Sequence, residues 1–136
     1  MRLNGLLIGS ENPQALVDYY TKLFGKPGWN SGGYTGWQFG EAGVTVGSHD
    51  QVKGKNAHPG RIIWGLESSD VKGDFEKFKA AGATVVKEPY EPEMDPEAAA
   101  EMEIPEGAEM WIATFSDPDD NYFQLMSPMG GPDGES

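Results

Sequence analysis

The chain has 136 residues and carries 10 basic against 22 acidic side chains, a formal net charge of −12 at pH 7. A surface this acidic repels nucleic-acid backbones and anionic lipid, so neither nucleic acid nor membrane is an expected partner. The absence of cysteine removes disulfides, thiolate nucleophiles and thiolate metal sites. No apolar run approaches a membrane span, and "LLI" at 6–8 is too short for a signal peptide, so a cytoplasmic location is expected.

Residues 2–9, "RLNGLLIG", read as a short buried strand. Asn12 and Pro13 open a helix, because an asparagine side chain can cap free amides and proline fits the first helical position. Leu16, Val17, Tyr20, Leu23 and Phe24 recur at helical spacing up to a stop at Gly25. A poorly defined strand near 27–31 precedes a hairpin pair, "YTGWQF" (34–39) and "VTVGS" (44–48), closed through Glu41-Ala42-Gly43. The loop "GSHDQVKGKNAHPG" then holds both histidines, His49 and His58, with Asp50 beside the first. It supplies no rigid framework for a metal, and the histidines read as solvated.

The second half repeats the order. "RIIWGLE" (61–67) is a strand, and Asp70 caps a helix whose apolar stripe is Val71, Phe75, Phe78 and Ala81, ended by Gly82. "ATVVKE" (83–88), "MWIATF" (110–115) and "NYFQLM" (121–126) follow as strands. Gly5 superposes on Ile63, Asn12 on Asp70, Gly25 on Gly82, Phe39 on Phe115 and Val46 on Gln124, an internal duplication of β-α-β-β-β units. The expected fold class is therefore α+β, as one domain over 1–128 with units about 2–48 and 60–127. The tail 129–136 is expected to be disordered.

Between two of these strands, residues 88–109, "EPYEPEMDPEAAAEMEIPEGAE", exceed what a hairpin needs. Asp95-Pro96-Glu97 and the alanines predict a capped short helix. Tyr90, Met94, Met102 and Ile104 would let the segment act as a lid; an acidic solvated loop is the alternative.

Strand residues alternate between faces. One parity is uniformly apolar: Leu6 and Ile8, Trp37 and Phe39, Trp64 and Leu66, Trp111, Ala113 and Phe115, Phe123 and Leu125. It predicts the core, with these tryptophans packed under helices rather than lining an aromatic site. The other parity carries Gly5, Leu7, Gly9, Tyr34, Gly36, Gln38, Val44, Val46 and Ser48, then Ile63, Gly65, Glu67, Met110, Ile112, Thr114, Tyr122, Gln124 and Met126. Glycines inside strands weaken them, and their use here is room for something to approach the backbone. Apolar walls with few polar groups describe a small-molecule pocket. Thr45 and Gly47 break the pattern, which makes the 44–48 strand the least secure in register.

The duplicated unit, with "LVDYYTKLFG" (16–25), "FEKFKAAGATVV" (75–86) and the Asp-Pro-Asp-x-Asn turn of "FSDPDDNYFQL", resembles the vicinal oxygen chelate superfamily of glyoxalase I, extradiol dioxygenases and bleomycin-binding proteins. The resemblance covers residues 2–127. It implies curved sheets around a cavity, helices on the outer face and a homodimer. In metal-using members the ligands come from positions that correspond here to Gly5, Val46, Ile63 and Gln124. Three of these have no donor atom, and moving the register to Thr45 does not complete a set.

The expected function is a metal-free protein that binds an apolar or aromatic antibiotic or metabolite, as bleomycin-resistance proteins do, with no cofactor. Tyr34, Gln38, Val46, Ile63, Gly65, Met110, Ile112, Thr114, Tyr122 and Gln124 would line the site. Glu67 is the one candidate base, without a His or Lys partner in sight. A glyoxalase-like lyase or isomerase, a dioxygenase-type enzyme with displaced ligands, and a structural dimer with a vestigial hollow are the alternatives.

Overall fold

Pro13 opens the first helix at its first position, and Gly25, at φ +86°, ends it by giving its N–H to Thr21. The computed structural model describes residues 1–104 and 109–128; the expectation of a disordered tail lies outside them. The elements run β1 (Gly5–Ser10), α1 (Pro13–Phe24), β2 (Trp29–Ser31), β3 (Tyr34–Phe39), β4 (Ala42–Ser48), a short 3-10 turn (Pro59–Arg61), β5 (Trp64–Glu67), α2 (Val71–Ala80), β6 (Thr84–Tyr90), α3 (Pro96–Glu101), β7 (Ile112–Ser116) and β8 (Tyr122–Met126). This is the duplicated β-α-β-β-β order, with α3 added inside the acidic segment. Its N-cap, Asp95, accepts from the Glu97 N–H.

Each unit makes a four-stranded mixed sheet, ordered β1-β4-β3-β2 and β5-β8-β7-β6. Strands β1 and β5 run parallel to β4 and β8, and among the described residues each has one edge unpaired. The helix starts repeat as well, in a form the sequence reading missed. Asn12 makes no side-chain cap; instead Ser10 Oγ accepts from the Asn12 N–H at 2.9 Å. Ser68 Oγ accepts from the Asp70 N–H at 3.1 Å in the same way, and Asp70 additionally caps Gly73 at 3.0 Å.

The predicted apolar parity is the core. Ile8, Trp37, Ala113, Phe115, Phe123 and Leu125 are buried, with Leu6, Phe39, Trp64, Leu66 and Trp111 packed against them. One core serves both units. Tyr20 on α1 is fully buried and stacks on Phe24, while its ring edge meets Trp37 of the first sheet and Phe123 of the second. Such edge-to-face and offset pairs add about 0.5–1.5 kcal/mol each beyond burial. The helix-covered faces therefore converge on shared aromatics between the sheets. The sheets are not closed into a barrel, and each unit's other face looks away from the core.

The register of β4 corrects the sequence reading. Leu6 pairs with Val44 and Ile8 with Val46, so directly opposed side chains place both valines on the core side. Val46 is 1% exposed, belongs to the core and lines neither of the two hollows described below. Gly43, Thr45 and Gly47 take the open face. The duplication shifts with it: because β8 pairs Gly65 with Gln124 where β4 pairs Leu7 or Gly5 with Thr45 or Gly43, Thr45 rather than Val46 shares its face with the Gln124 position. In β3, Trp37 pairs with Val44 as Phe115 pairs with Phe123, so Trp37, not Phe39, matches Phe115.

Candidate functional site

Strand β8 carries Gln124 between Gly65 of β5 and Thr114 of β7, so these side chains form one row across the open face of the second sheet. Gln124 is half-buried and Thr114 buried. Ile112 and Tyr122 share that face and are half-buried, while Ile63 lies just ahead of β5 and is exposed. Met110 is buried ahead of β7, outside any strand. Tyr34 and Gln38 belong to the first sheet's open face. The predicted lining residues thus fall on two faces that this chain does not bring together, with Val46 in the core.

Between the free edges of β1 and β5 lies a cleft of about 850 Å³. Leu3, Gly5 and Leu6 form one wall, Ile63 to Glu67 the other, and Phe24, Phe39, Phe78 and Leu125 also line it. Every lining residue is glycine or apolar except Glu67 and Asp74. Asp74 is engaged already, accepting from Ser68 Oγ at 2.6 Å and lying 3.9 Å from Lys77 Nζ. Glu67 is exposed at the rim, and no His or Lys lines the cleft to pair with it for proton transfer. Trp64 contributes an unmatched donor to the wall, since its Nε1 is buried without a hydrogen-bond partner among the described residues.

A second hollow, of about 550 Å³, sits on the first sheet's open face, lined among others by Asn4, Leu7, Trp29, Tyr34, Gln38 and Thr45. Trp29, assigned by the sequence reading only to an ill-defined strand, proves the dominant side chain here. Its indole lies across Gly36 and Gly43, where an added Cβ would strike the ring. Tyr34 lies likewise over Gly47. The signal was present: Gly36 and Gly43 leave the room that a ring on the neighbouring strand occupies. Most of the interior glycines therefore admit the protein's own atoms. Gly5 faces the Gly43 carbonyl, at 2.5 Å from an added Cβ, and Gly9 faces His49 Cβ at 2.9 Å. Gly65 is the exception. An added Cβ there would meet only the flexible end of Met126, whose Sδ lies at 2.9 Å.

A buried polar cluster joins the two units. Tyr20 donates to Asp117 Oδ2 at 2.7 Å, and Asn121 donates its side-chain amide to the same oxygen at 3.0 Å. Asp117 Oδ1 accepts from the backbone N–H groups of Asp119 and Asn121. Burial raises the Asp117 pKa above the ordinary carboxylate value, against hydrogen bonds from Tyr20 and Asn121 that lower it. Burial and the adjacent carboxylate push the Tyr20 phenol far upward as well. Every oxygen of the cluster is occupied, so its role is structural: it ties α1 to the β7–β8 turn.

The profile of the Glyoxalase/Bleomycin resistance protein/Dioxygenase superfamily matches residues 2–125. The chain belongs to this superfamily. Solved structures share its fold: a glyoxalase-related enzyme from Fulvimarina pelagi has 15% identity and a TM-score of 0.63, over 93% of this chain and 88% of that one. A glyoxalase/bleomycin resistance protein from Albidiferax ferrireducens T118 has 15% identity and a TM-score of 0.65, over 92% and 97%. TioX from Micromonospora sp. ML1 has 15% identity and a TM-score of 0.62, over 93% and 98%. No curated protein matches the chain.

The resemblance implies that metal-using members of the superfamily draw ligands from the first and last strand of each unit. The residues of this chain do not fit such a site. Gly5 and Ile63 have no donor, Val46 is in the core, Thr45 offers a neutral hydroxyl and Gln124 a neutral amide. Among the described residues no three of His, Asp and Glu stand together in a way that could hold a metal ion. His49 and His58 are exposed; His49 Nδ1 accepts from the Gln51 N–H at 3.2 Å and lies 3.5 Å from Asp50. Among the described residues no helix is long and apolar enough to cross a membrane.

Proposed function

We propose that this superfamily member binds a small, mainly apolar molecule and releases it unchanged, without a metal or other cofactor. The observation that carries this reading is the cleft of about 850 Å³ whose lining is glycine and apolar side chains apart from Glu67 and Asp74. That volume lies in the range of sites for drug-sized ligands. An isolated carboxylate with no partner base or acid favours holding over converting a ligand. Gln124, Thr114 and Tyr122 on the second sheet and Gln38 and Tyr34 on the first lie outside the cleft, on open faces that a second copy would have to bring together before they could orient a ligand. An antibiotic or metabolite of this kind suits relatives named for bleomycin resistance.

The working unit in this proposal is a homodimer. Leu3, Leu7, Ile62 and Ile63 are 78%, 54%, 71% and 38% exposed beside the unpaired edges of β1 and β5. A second copy covering these edges would remove an aggregation liability and bring an open face of one chain opposite one of its partner.

Equilibrium dialysis against a set of hydrophobic drug-like compounds, with mass spectrometry of what is retained, tests the proposal. The expected result is a retained compound of unaltered mass on a protein that light scattering finds dimeric. Elemental analysis of protein purified without chelator should find no stoichiometric transition metal. Catalytic conversion of the retained compound, or one Zn, Ni, Mn or Fe per chain lost together with activity, would overturn it.

A further inference from the structure

We propose that the first sheet's open face is a stacking platform for a flat, protonated nitrogen heteroaromatic, built by Trp29 on a floor of strand glycines. The inference rests on the reading of the chain as a small-molecule binder and names the class of molecule bound. Its foundation is the position of the indole. Trp29 belongs to the short edge strand β2, yet its ring reaches across β3 to β4, covering Gly36 and Gly43. Any side chain at either glycine would displace the ring. The side of the indole that runs from Nε1 through Cε2 and Cζ2 to Cη2 lies on the two glycine positions, and the ring lines the hollow.

Flatness, charge and hydrogen bonding then select the ligand. An aromatic ring that lines a hollow offers a planar apolar surface, which a planar partner covers better than a branched aliphatic one. The face of an indole carries negative potential and attracts cations. The chain's net charge of −12 adds long-range attraction of the same sign. Glu41 stands at the rim, partly neutralised by its ion pair with Arg2. Gln38 supplies direction. Its amide N–H donates to the Gly40 carbonyl at 3.0 Å, which turns Oε1 over Gly43 beside the indole. That oxygen accepts, and a ring N–H⁺ or ring-bound amine stacked on Trp29 would donate to it.

Calorimetric titration with three probes reads the platform: proflavine, a planar cation with ring amines; anthracene-2-sulfonate, a planar anion; and 1-adamantylammonium, a cation with no flat face. The expected result is that wild-type protein binds proflavine at least tenfold more tightly than either other probe. Trp29→Leu should lose at least tenfold in proflavine affinity, and Trp29→Phe should recover part of it. Gly36→Ala, which keeps the tryptophan but displaces its ring, should lose affinity too, with circular dichroism confirming that all three variants fold. Wild-type protein that ignores proflavine, or prefers either other probe, overturns the platform. Equal proflavine affinity in Trp29→Leu overturns it as well, while leaving the chain a binder that uses the cleft. Conversion of a bound probe into product, with Trp29→Leu still weakened, would instead sink the binder reading and keep the platform.

Discussion

Gly65→Leu separates a strand glycine that admits a ligand from one that admits the protein itself. Gly65 lies in β5 facing the cleft, is exposed, and does not adopt the left-handed backbone that would forbid a side chain. Its added Cβ would meet only Met126 Sδ, at 2.9 Å. A methionine tip shifts by rotating a terminal torsion, at a cost on the order of 0.5–1.5 kcal/mol even when forced off its rotamer. Replacing a strand glycine by a better strand former returns about 0.4–1 kcal/mol. The two nearly cancel, so urea unfolding should move by less than about 1 kcal/mol. Gly5→Leu is the control. There the Cβ lies 2.5 Å from the backbone oxygen of Gly43, in a paired strand that cannot yield without breaking the β1–β4 ladder. Its cost should be at or above the top of the roughly 1–3 kcal/mol range for overpacking. Binding of any cleft ligand should fall in Gly65→Leu although the fold is intact. A Gly65→Leu variant as destabilised as Gly5→Leu would mean the cleft is packed, and the reasoning from open space would fail.

Asp117→Asn should cost about 1–3 kcal/mol near neutral pH, because an amide N–H₂ must then face donors now satisfied by carboxylate oxygens. The folded-state pKa of Asp117 is raised above 3.8, so its contribution to stability is fully present below that pH and is lost as pH rises through the folded value. The wild-type advantage over Asp117→Asn should therefore grow on acidification, and urea midpoints measured down the pH scale would refute this by converging. Asp120 holds φ +64° in the turn before β8; Asp120→Gly should stabilise by about 0.5–1 kcal/mol, read as a raised unfolding midpoint. Tyr90, Met94, Met102 and Ile104 are half-buried around α3, which follows β6 at the edge of the second sheet, so hydrogen exchange over 90–104 should slow when a ligand binds on that sheet's open face. Unchanged exchange would leave the segment a solvated loop.

Periodicity alone placed both helices, the aromatic core and the duplicated order, because helix and strand spacing decide which side chains can share a face. Trp37, Trp64 and Trp111 were legible as core for that reason. Strand β4 was not. In "AGVTVGS" both parities offer small or β-branched residues, and only pairing with Leu6 and Ile8 sends Val44 and Val46 inward. Trp29 is not legible because a three-residue strand carries too few positions for a pattern, and because a strand glycine leaves room for the chain's own rings as readily as for a ligand. The cleft depends on how two edges, β1 and β5, stand beside one another across the shared core. Sequence spacing within either unit carries no information about that.

Tyr19 and Tyr20 both spend their hydroxyls on the other half of the chain. Tyr20 donates to Asp117, and Tyr19 donates to the Ser116 carbonyl at 2.7 Å while accepting from the Thr84 N–H at 3.1 Å. A helix from the first half thus finishes the polar accounting of a turn and a strand end in the second. Cutting the exposed loop between the halves would give two fragments, each owning a sheet but only part of an interior. Neither should hold its structure alone; mixed, they should reassemble. The two copies inside the chain have become complements that need each other, rather than repeats that could be exchanged, and an attempt to rebuild the protein from two first halves would lack Asp117 to receive Tyr20.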